Sequence, residues 1–275
     1  MEKRIILYMG LLALTALAAC DKIEPDKYTV YDGAAIVWTP GTSTVNPVQR
    51  VLVEKFTGPR CNNCPLADST LSTLESDNVV IMSINHPSGQ GLPLAGEPDL
   101  RTTGGTTWDQ WYGISAIPSA FVDRDRSQQF SGRMATIGSA IATALNASPL
   151  IAIEAEAQLS TGGTVEVTVD LSFVQPYTHA ITLTAAIVED SLAYKQILPD
   201  GSIQDDYVHN HMLRQVITGY WGRQVDCQGT AGENIRGTLR FSPDNDIQLG
   251  NSHIVVFVSD KTSRRILNCA STTIH

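Results

Sequence analysis

The sequence predicts two domains of different class, an α/β domain over residues 48–149 and an all-β sandwich over residues 150–275. Three observations point there. An apolar run, Val51–Phe56, feeds a Cys-x-x-Cys pair (Cys61 and Cys64) at the start of a segment that can be helical. A second continuous apolar run, Asn78–Asn85, has the pattern of a buried parallel strand. Beyond Ser148-Pro149, helical periodicity gives way to short alternating segments. With 275 residues, 43% apolar and 17% charged, the chain has globular composition and is long enough for two cores.

Residues 1–19 read as a targeting segment. Lys3 and Arg4 give a basic start, and Ile5 to Ala18 is apolar but short for a membrane span. The run ends in Leu17-Ala18-Ala19-Cys20, small residues before a cysteine, which resembles the bacterial lipobox in which Cys20 is acylated. The other reading is an ordinary cleaved leader that leaves Cys20 over. Loss of residues 1–19 removes Glu2, Lys3 and Arg4, one net positive charge, so the formal charge goes from −9 to −10. An acidic body argues against nucleic acid and anionic membrane surfaces as partners. Membrane attachment would be by lipid alone, and the destination is outside the cytoplasm, where disulfides persist.

Residues 20–47 form a lipidated tether and an N-terminal edge, with Ala34–Trp38 as an edge strand and Pro40-Gly41-Thr42-Ser43 as a turn. The first domain then runs strand, helix, strand, helix, strand, strand, helix. Val51–Phe56 is its first central strand. Pro65–Glu75 is the helix behind the cysteines, with Leu66, Leu71 and Leu74 inward. Asn78–Asn85 is the next strand, and Trp108 to Tyr112 ends a helix. Pro118–Val122 and Gln128–Phe130 are strands. Arg133–Ala147 is a helix, with Met134, Ile137, Ile141 and Leu145 at spacings of three and four.

In the second domain, Ile151–Leu159, Val165–Phe173, Ile181–Val188, Val208–Ile217, Ile235–Phe241, His253–Ser259 and Arg265–Thr272 read as strands. Gly162-Gly163, Pro199-Asp200-Gly201 and Pro243-Asp244-Asn245 mark turns, and the whole argues for a β-sandwich.

A strand that delivers Cys-x-x-Cys to a helix start is the thioredoxin redox motif. Tyr112–Asp123, with Ile117-Pro118, looks like the thioredoxin segment that carries a cis-proline and then a strand. The two-part plan also resembles a lipoprotein family of Bacteroidetes outer membranes, the family related to a 28-kDa outer-membrane protein. It joins a thioredoxin-like domain to an immunoglobulin-like sandwich. The resemblance rests on Leu17–Cys20, on Glu54-Lys55-Phe56-Thr57-Gly58 leading into Cys61-Asn62-Asn63-Cys64-Pro65, on Tyr112–Asp123 and on Val208–Arg214. It implies an outer-membrane location, lipid-anchored and facing the periplasm or the cell surface.

A thiol at a helix N-terminus is favoured as thiolate by the unpaired N–H groups and the helix dipole. Cys61 is expected to be that nucleophile, with Arg60 as a neighbouring cation, and Cys64 the resolving thiol. Pro118, cis by the family pattern, is expected to face the sulfurs, with Trp108 and Trp111 on an apolar rim. Thioredoxins carry a buried acid in the strand before the motif. By spacing that place is held here by Lys55, with Glu54 beside it, and strand alternation lets only one of the two point under the motif.

Setting Cys20 aside, Cys227 and Cys269 are expected to form a structural disulfide. Haem attachment by Cys61 and Cys64 is excluded in its simple form because Pro65 follows. His209 and His211, two apart on one predicted strand, could share a face, but a polar strand explains them without metal. No cofactor and no metal are expected. The functional reading is a lipid-anchored envelope protein that carries out thiol–disulfide exchange on protein thiols or disulfides. The alternative is a non-catalytic surface binding or adhesion lipoprotein in which Cys61–Cys64 is a structural bridge. A subunit role beside an envelope partner is a third reading.

Overall fold

The computed structural model describes residues 33–42 and 44–275, so the leader, Cys20 and the tether up to residue 32 lie outside the described residues. The strands and helices in chain order are β1 (Val37–Pro40), β2 (Val51–Thr57), α1 (Cys64–Ser72), β3 (Val79–Asn85), α2 (Thr103–Tyr112), β4 (Ser119–Val122), β5 (Phe130–Ser131) and α3 (Ile137–Leu145). There follow β6 (Ile151–Leu159), β7 (Val165–Phe173), β8 (Ile181–Glu189), β9 (Leu192–Ile197), β10 (Ile203–His209), β11 (Met212–Val216), β12 (Arg223–Gln224), β13 (Asn234–Phe241), β14 (Ser252–Asp260) and β15 (Ile266–Thr273).

β2 is the strand that positions the cysteines. It pairs in parallel with β3, from Val51 opposite Val79 to Thr57 opposite Asn85, and antiparallel with β4. Its alternation feeds two cores. Val51 and Val53 pack with Ala67 and Leu71 of α1 and with Ile137 and Ile141 of α3. Leu52 and Phe56 pack on the opposite side with Trp108 and Tyr112 of α2. Burying a side chain such as Phe56 fully stabilises the fold by about 1.5–3 kcal/mol.

The sheet does not stop at residue 150. Its order is β15-β14-β8-β11-β3-β2-β4-β5, with β12 on β8, and β11 joins β3 through the parallel pair Met212–Ser83. Strands from both predicted halves therefore share one nine-stranded sheet. A second sheet, β1-β13-β7-β6, covers part of it. β8 and β14 lie between layers: Ile181, Leu183, Ile187, Ile254 and Val256 face the core shared with the second sheet, while Ala186, Val188, Val255 and Phe257 face Trp108. The fold is thus mostly β-sheet, with three short helices packed around β2–β4.

Helix α2 is capped at its start by Thr102, whose side chain accepts a hydrogen bond from the Gly105 N–H at 2.9 Å, and at its end by Gly113 in the left-handed region. Gly104 is there for packing, since a Cβ would come within 2.4 Å of a Val216 methyl. Several expected elements are shorter. α1 ends at Ser72, and α3 begins at Ile137 because Met134 has φ +54°, outside the helical region.

One expected strand is two. Val208–Ile217 breaks at Asn210-His211, where His211 has φ +58° and its N–H donates to Asp190 Oδ1 at 2.6 Å. The first part belongs to β10, which forms a separate two-stranded hairpin with β9. Pro199-Asp200-Gly201 is the turn of that hairpin, held by Asp200 Oδ1 accepting from the Ser202 N–H at 2.9 Å. β9 was not foreseen, because Leu192–Ile197 has neither clean alternation nor a continuous apolar run.

Candidate functional site

β2 ends at Thr57 and the chain turns through Gly58-Pro59-Arg60 into the Cys-x-x-Cys pair. A Cβ at Gly58 would lie 2.4 Å from the Gln90 carbonyl oxygen, so only glycine fits that crossing. Cys61 and Cys64 are joined in a disulfide with Cα atoms 5.4 Å apart. The Cys61 N–H donates to the Gly58 carbonyl at 3.0 Å, and α1 begins at Cys64 with Asn63 as its cap. Cys64, rather than Cys61, is therefore the helix-terminal cysteine. The Arg60 guanidinium donates to the Pro93 carbonyl at 2.7 Å and is tied to that loop. Ile117-Pro118 is cis, and Pro118 is buried at the start of β4.

Strand alternation sorts the two charged residues. Lys55 points to the α1 side and pairs with Asp68 of that helix. Glu54 points to the α2 side, wholly buried, where Arg124 donates through Nη2 at 2.8 Å and the Tyr112 hydroxyl donates at 2.5 Å. Burial, and then the Glu54 charge, push the Tyr112 hydroxyl well above its ordinary pKa. Glu54 is thus a structural counter-ion for Arg124, and Lys55 is the charged residue on the side of the cysteine helix.

Both cysteines are sealed, each only 1% exposed. The β9–β10 hairpin lies against them. Buried Gln196 donates through Nε2 to the Cys61 carbonyl at 2.9 Å and to the Ile197 carbonyl at 2.9 Å. The Ile197 N–H donates to the Pro59 carbonyl at 2.9 Å. The Tyr207 hydroxyl donates to Asp68 Oδ2 at 2.9 Å, and Lys195 reaches Glu97 at 3.0 Å. His209 shares this site. Burial first lowers its pKa to about 4, and its Nε2 has no hydrogen-bond partner among the described residues. Between the hairpin and α1 lies a cavity of about 320 Å³, lined in part by Lys55, Asp68, Tyr207 and His209.

Gln196, Tyr207 and Asp68 were missed by sequence reasoning. Gln196 lies 135 residues from Cys61 in the chain, and no motif spans that distance. The turn at Pro199-Asp200-Gly201 was the one local signal of a hairpin.

Other expected site residues fall elsewhere. Trp108 is not on a rim: it is 0% exposed, and its indole N–H donates to the Tyr220 carbonyl at 2.7 Å. Trp111 is half-buried and stacks edge-on against Trp221 at 5.5 Å. The expected Cys227–Cys269 bridge is corrected, since both thiols are free. Cys269 is buried in the core around Trp108, whereas Cys227 packs against the core between the two sheets, so the two belong to different cores. His209 and His211 are separated by the bend at Asn210-His211 and do not share a strand face. Among the described residues no group of three or more His, Cys, Asp or Glu is placed to hold a metal.

These features define a class: a β-rich protein in which a strand–Cys-x-x-Cys–helix unit is built into one sheet with a sandwich. Residues 106–275 match the family described as outer membrane protein Omp28, and the chain belongs to that family. HBP35 of Porphyromonas gingivalis has a similar fold, with a TM-score of 0.62 at 16% identity over 84% of this chain and 77% of that one. A domain of the outer membrane lipoprotein Omp28 from Porphyromonas gingivalis also matches, at 20% identity over 46% of this chain and 89% of that one, with a TM-score of 0.33. No curated protein matches the chain. The expected outer-membrane family and location are therefore borne out. Among the described residues no helix is long and apolar enough to cross a membrane.

Proposed function

We propose that the protein is a lipid-anchored thiol–disulfide exchange protein of the outer membrane whose Cys61–Cys64 pair acts on protein thiols when the β9–β10 hairpin lifts. In this reading Cys20 carries the lipid, residues 48–149 are the thioredoxin-like part and residues 150–275 the immunoglobulin-like part. The observation that carries it is the nature of the cover over the disulfide. Of the hairpin's strand residues only Leu192 and Gln196 are buried; Leu192 and Tyr194 pack in a small apolar cluster with Leu100 and Met212, and hydrogen bonds and an ion pair hold the rest. An element held by a few hydrogen bonds and little apolar area opens at far less cost than a core strand.

With the hairpin lifted, a partner thiolate attacks the Cys61 sulfur, the Cys61–Cys64 bond breaks, and Cys64 leaves as thiolate. A second partner thiol then displaces Cys61 from the mixed disulfide. The partner gains a disulfide, and Cys61 and Cys64 take up two electrons and two protons. In the reverse direction Cys61, whose carbonyl the hairpin's Gln196 covers and lifting would free, is the nucleophile and Cys64, the first residue of α1, resolves, with Pro118 shaping the groove.

The sealing of both sulfurs favours a second reading, a surface binding protein in which the bridge is a staple. A Cys64→Ser variant of the full chain, expressed in its own membrane, separates the two. Exchange predicts mixed disulfides with envelope proteins through Cys61 that disappear on reduction. No trapped species, together with a reduction potential below about −300 mV, supports the staple. Mass spectrometry of the mature N-terminus tests Cys20, where an unmodified Cys20 contradicts the anchor.

A further inference from the structure

Three guanidinium groups and two indoles form an alternating ladder. The Arg126 carbon Cζ lies 4.8 Å from the Trp111 ring centre. Arg264 Cζ lies 5.4 Å from Trp111 and 3.4 Å from Trp221. Arg124 follows at 5.7 Å from Trp221. Each of these distances is within cation–π range.

Only the innermost cation is neutralised, Arg124 by Glu54. Asp125, beside Arg126, is engaged by Arg265, and Asp260 is taken up by Tyr177 and Ser263. Among the described residues no carboxylate pairs with the side chain of Arg126 or Arg264. Burial and then the nearby Arg124 and Arg126 charges lower the Arg264 pKa from its ordinary value, as expected where like charges gather without a counter-ion.

We propose that the face formed by Trp111, Trp221, Arg126 and Arg264 docks an acidic segment of a protein partner. The N–H groups of Arg126 and Arg264 are not taken by any carboxylate among the described residues, and a guanidinium takes a carboxylate through two parallel hydrogen bonds. The chain as a whole carries a formal charge of −9, so an unpaired cationic cluster on it is a local selector for anions. The half-buried indoles of Trp111 and Trp221 are themselves the apolar surface between the cations, and Ile114 and Ile117 pack on the same core. A polypeptide that alternates carboxylate and aliphatic side chains satisfies both the cations and this apolar surface, whereas a lipid headgroup satisfies only the cations. The surface is independent of whether the disulfide exchanges.

The test is binding of a synthetic peptide of alternating Glu and Val to the full chain, read by tryptophan fluorescence and calorimetry. The peptide should bind, and more weakly as salt is raised. Its Gln–Val counterpart should not bind. An Arg126→Gln/Arg264→Asn variant should lose affinity by at least about tenfold with unchanged melting. Asn is chosen at 264 because Arg264 has φ +63°, which Asn tolerates. Failure of the acidic peptide to bind, equal binding by the variant, or preferential binding to phosphatidylglycerol vesicles each overturns the proposal.

Discussion

Loosening the hairpin should expose the disulfide without unfolding the protein. Gln196→Ala with Tyr207→Phe removes the bond to the Cys61 carbonyl and the bond to Asp68, and leaves the Ile197–Pro59 backbone bond as a guide for reclosing. A neutral hydrogen bond contributes about 0.5–1.5 kcal/mol and one to a charged group about 1.5–3 kcal/mol. The pair is thus worth about 2–4.5 kcal/mol, which raises the open population roughly 30-fold to 2,000-fold. When reclosing is faster than attack, the rate of reduction follows that population. The assay is the rate of Cys61–Cys64 reduction by dithiothreitol, read by mass shift after alkylation, beside a thermal melt. A rise in rate of that order with the main melting transition retained is expected. Reduction of the double variant at the parent's rate would refute the hairpin as the cover. So would a parent disulfide that reduces as fast as an exposed one.

Three further outcomes follow from the same geometry. His209 has a folded pKa of about 4, below its ordinary 6.5, so the closed hairpin favours the neutral ring. Its contribution is complete above about pH 6.5 and is lost as pH falls towards 4. Reduction by an acid-tolerant phosphine, measured against an exposed reference disulfide, should therefore accelerate across that window, and His209→Gln should flatten the rise. Glu54→Gln removes the counter-ion of fully buried Arg124 and should cost about 3–5 kcal/mol in urea unfolding, while a result under about 1 kcal/mol would show the pair to be dispensable. Residues 33–275, denatured and unreduced, should titrate two free thiols, Cys227 and Cys269. Cys227→Ser should change stability far less than the roughly 2–4 kcal/mol of a lost disulfide.

What the sequence made legible was local. The strand into Cys-x-x-Cys, the helix after it and the apolar run of β3 each sit within a short window, where period and turn residues act directly. The choice between Glu54 and Lys55 was posed by strand alternation but not decided by it, because deciding requires knowing that Arg124 stands on one side and Asp68 on the other. The cover over the cysteines was invisible for a different reason. β9 and β10 carry polar residues because they close a polar site, so they lack the apolar pattern that marks a strand. Asp205-Asp206 also sit in the register shift between Gln204 and Tyr207 and blur the alternation further. Counting cysteines paired Cys227 with Cys269, since a count holds no information about which core each thiol enters.

The account turns on the hairpin being a removable cover rather than part of the core. Native-state hydrogen exchange at the Ile197 amide, which donates to Pro59, measures this most directly. The account predicts that Ile197 and its β9–β10 neighbours exchange through a local opening several kcal/mol below global unfolding, while the amides of β8 and β14 exchange only with the whole fold. Exchange of Ile197 at the global unfolding free energy would make the hairpin core structure and Cys61–Cys64 a permanent staple.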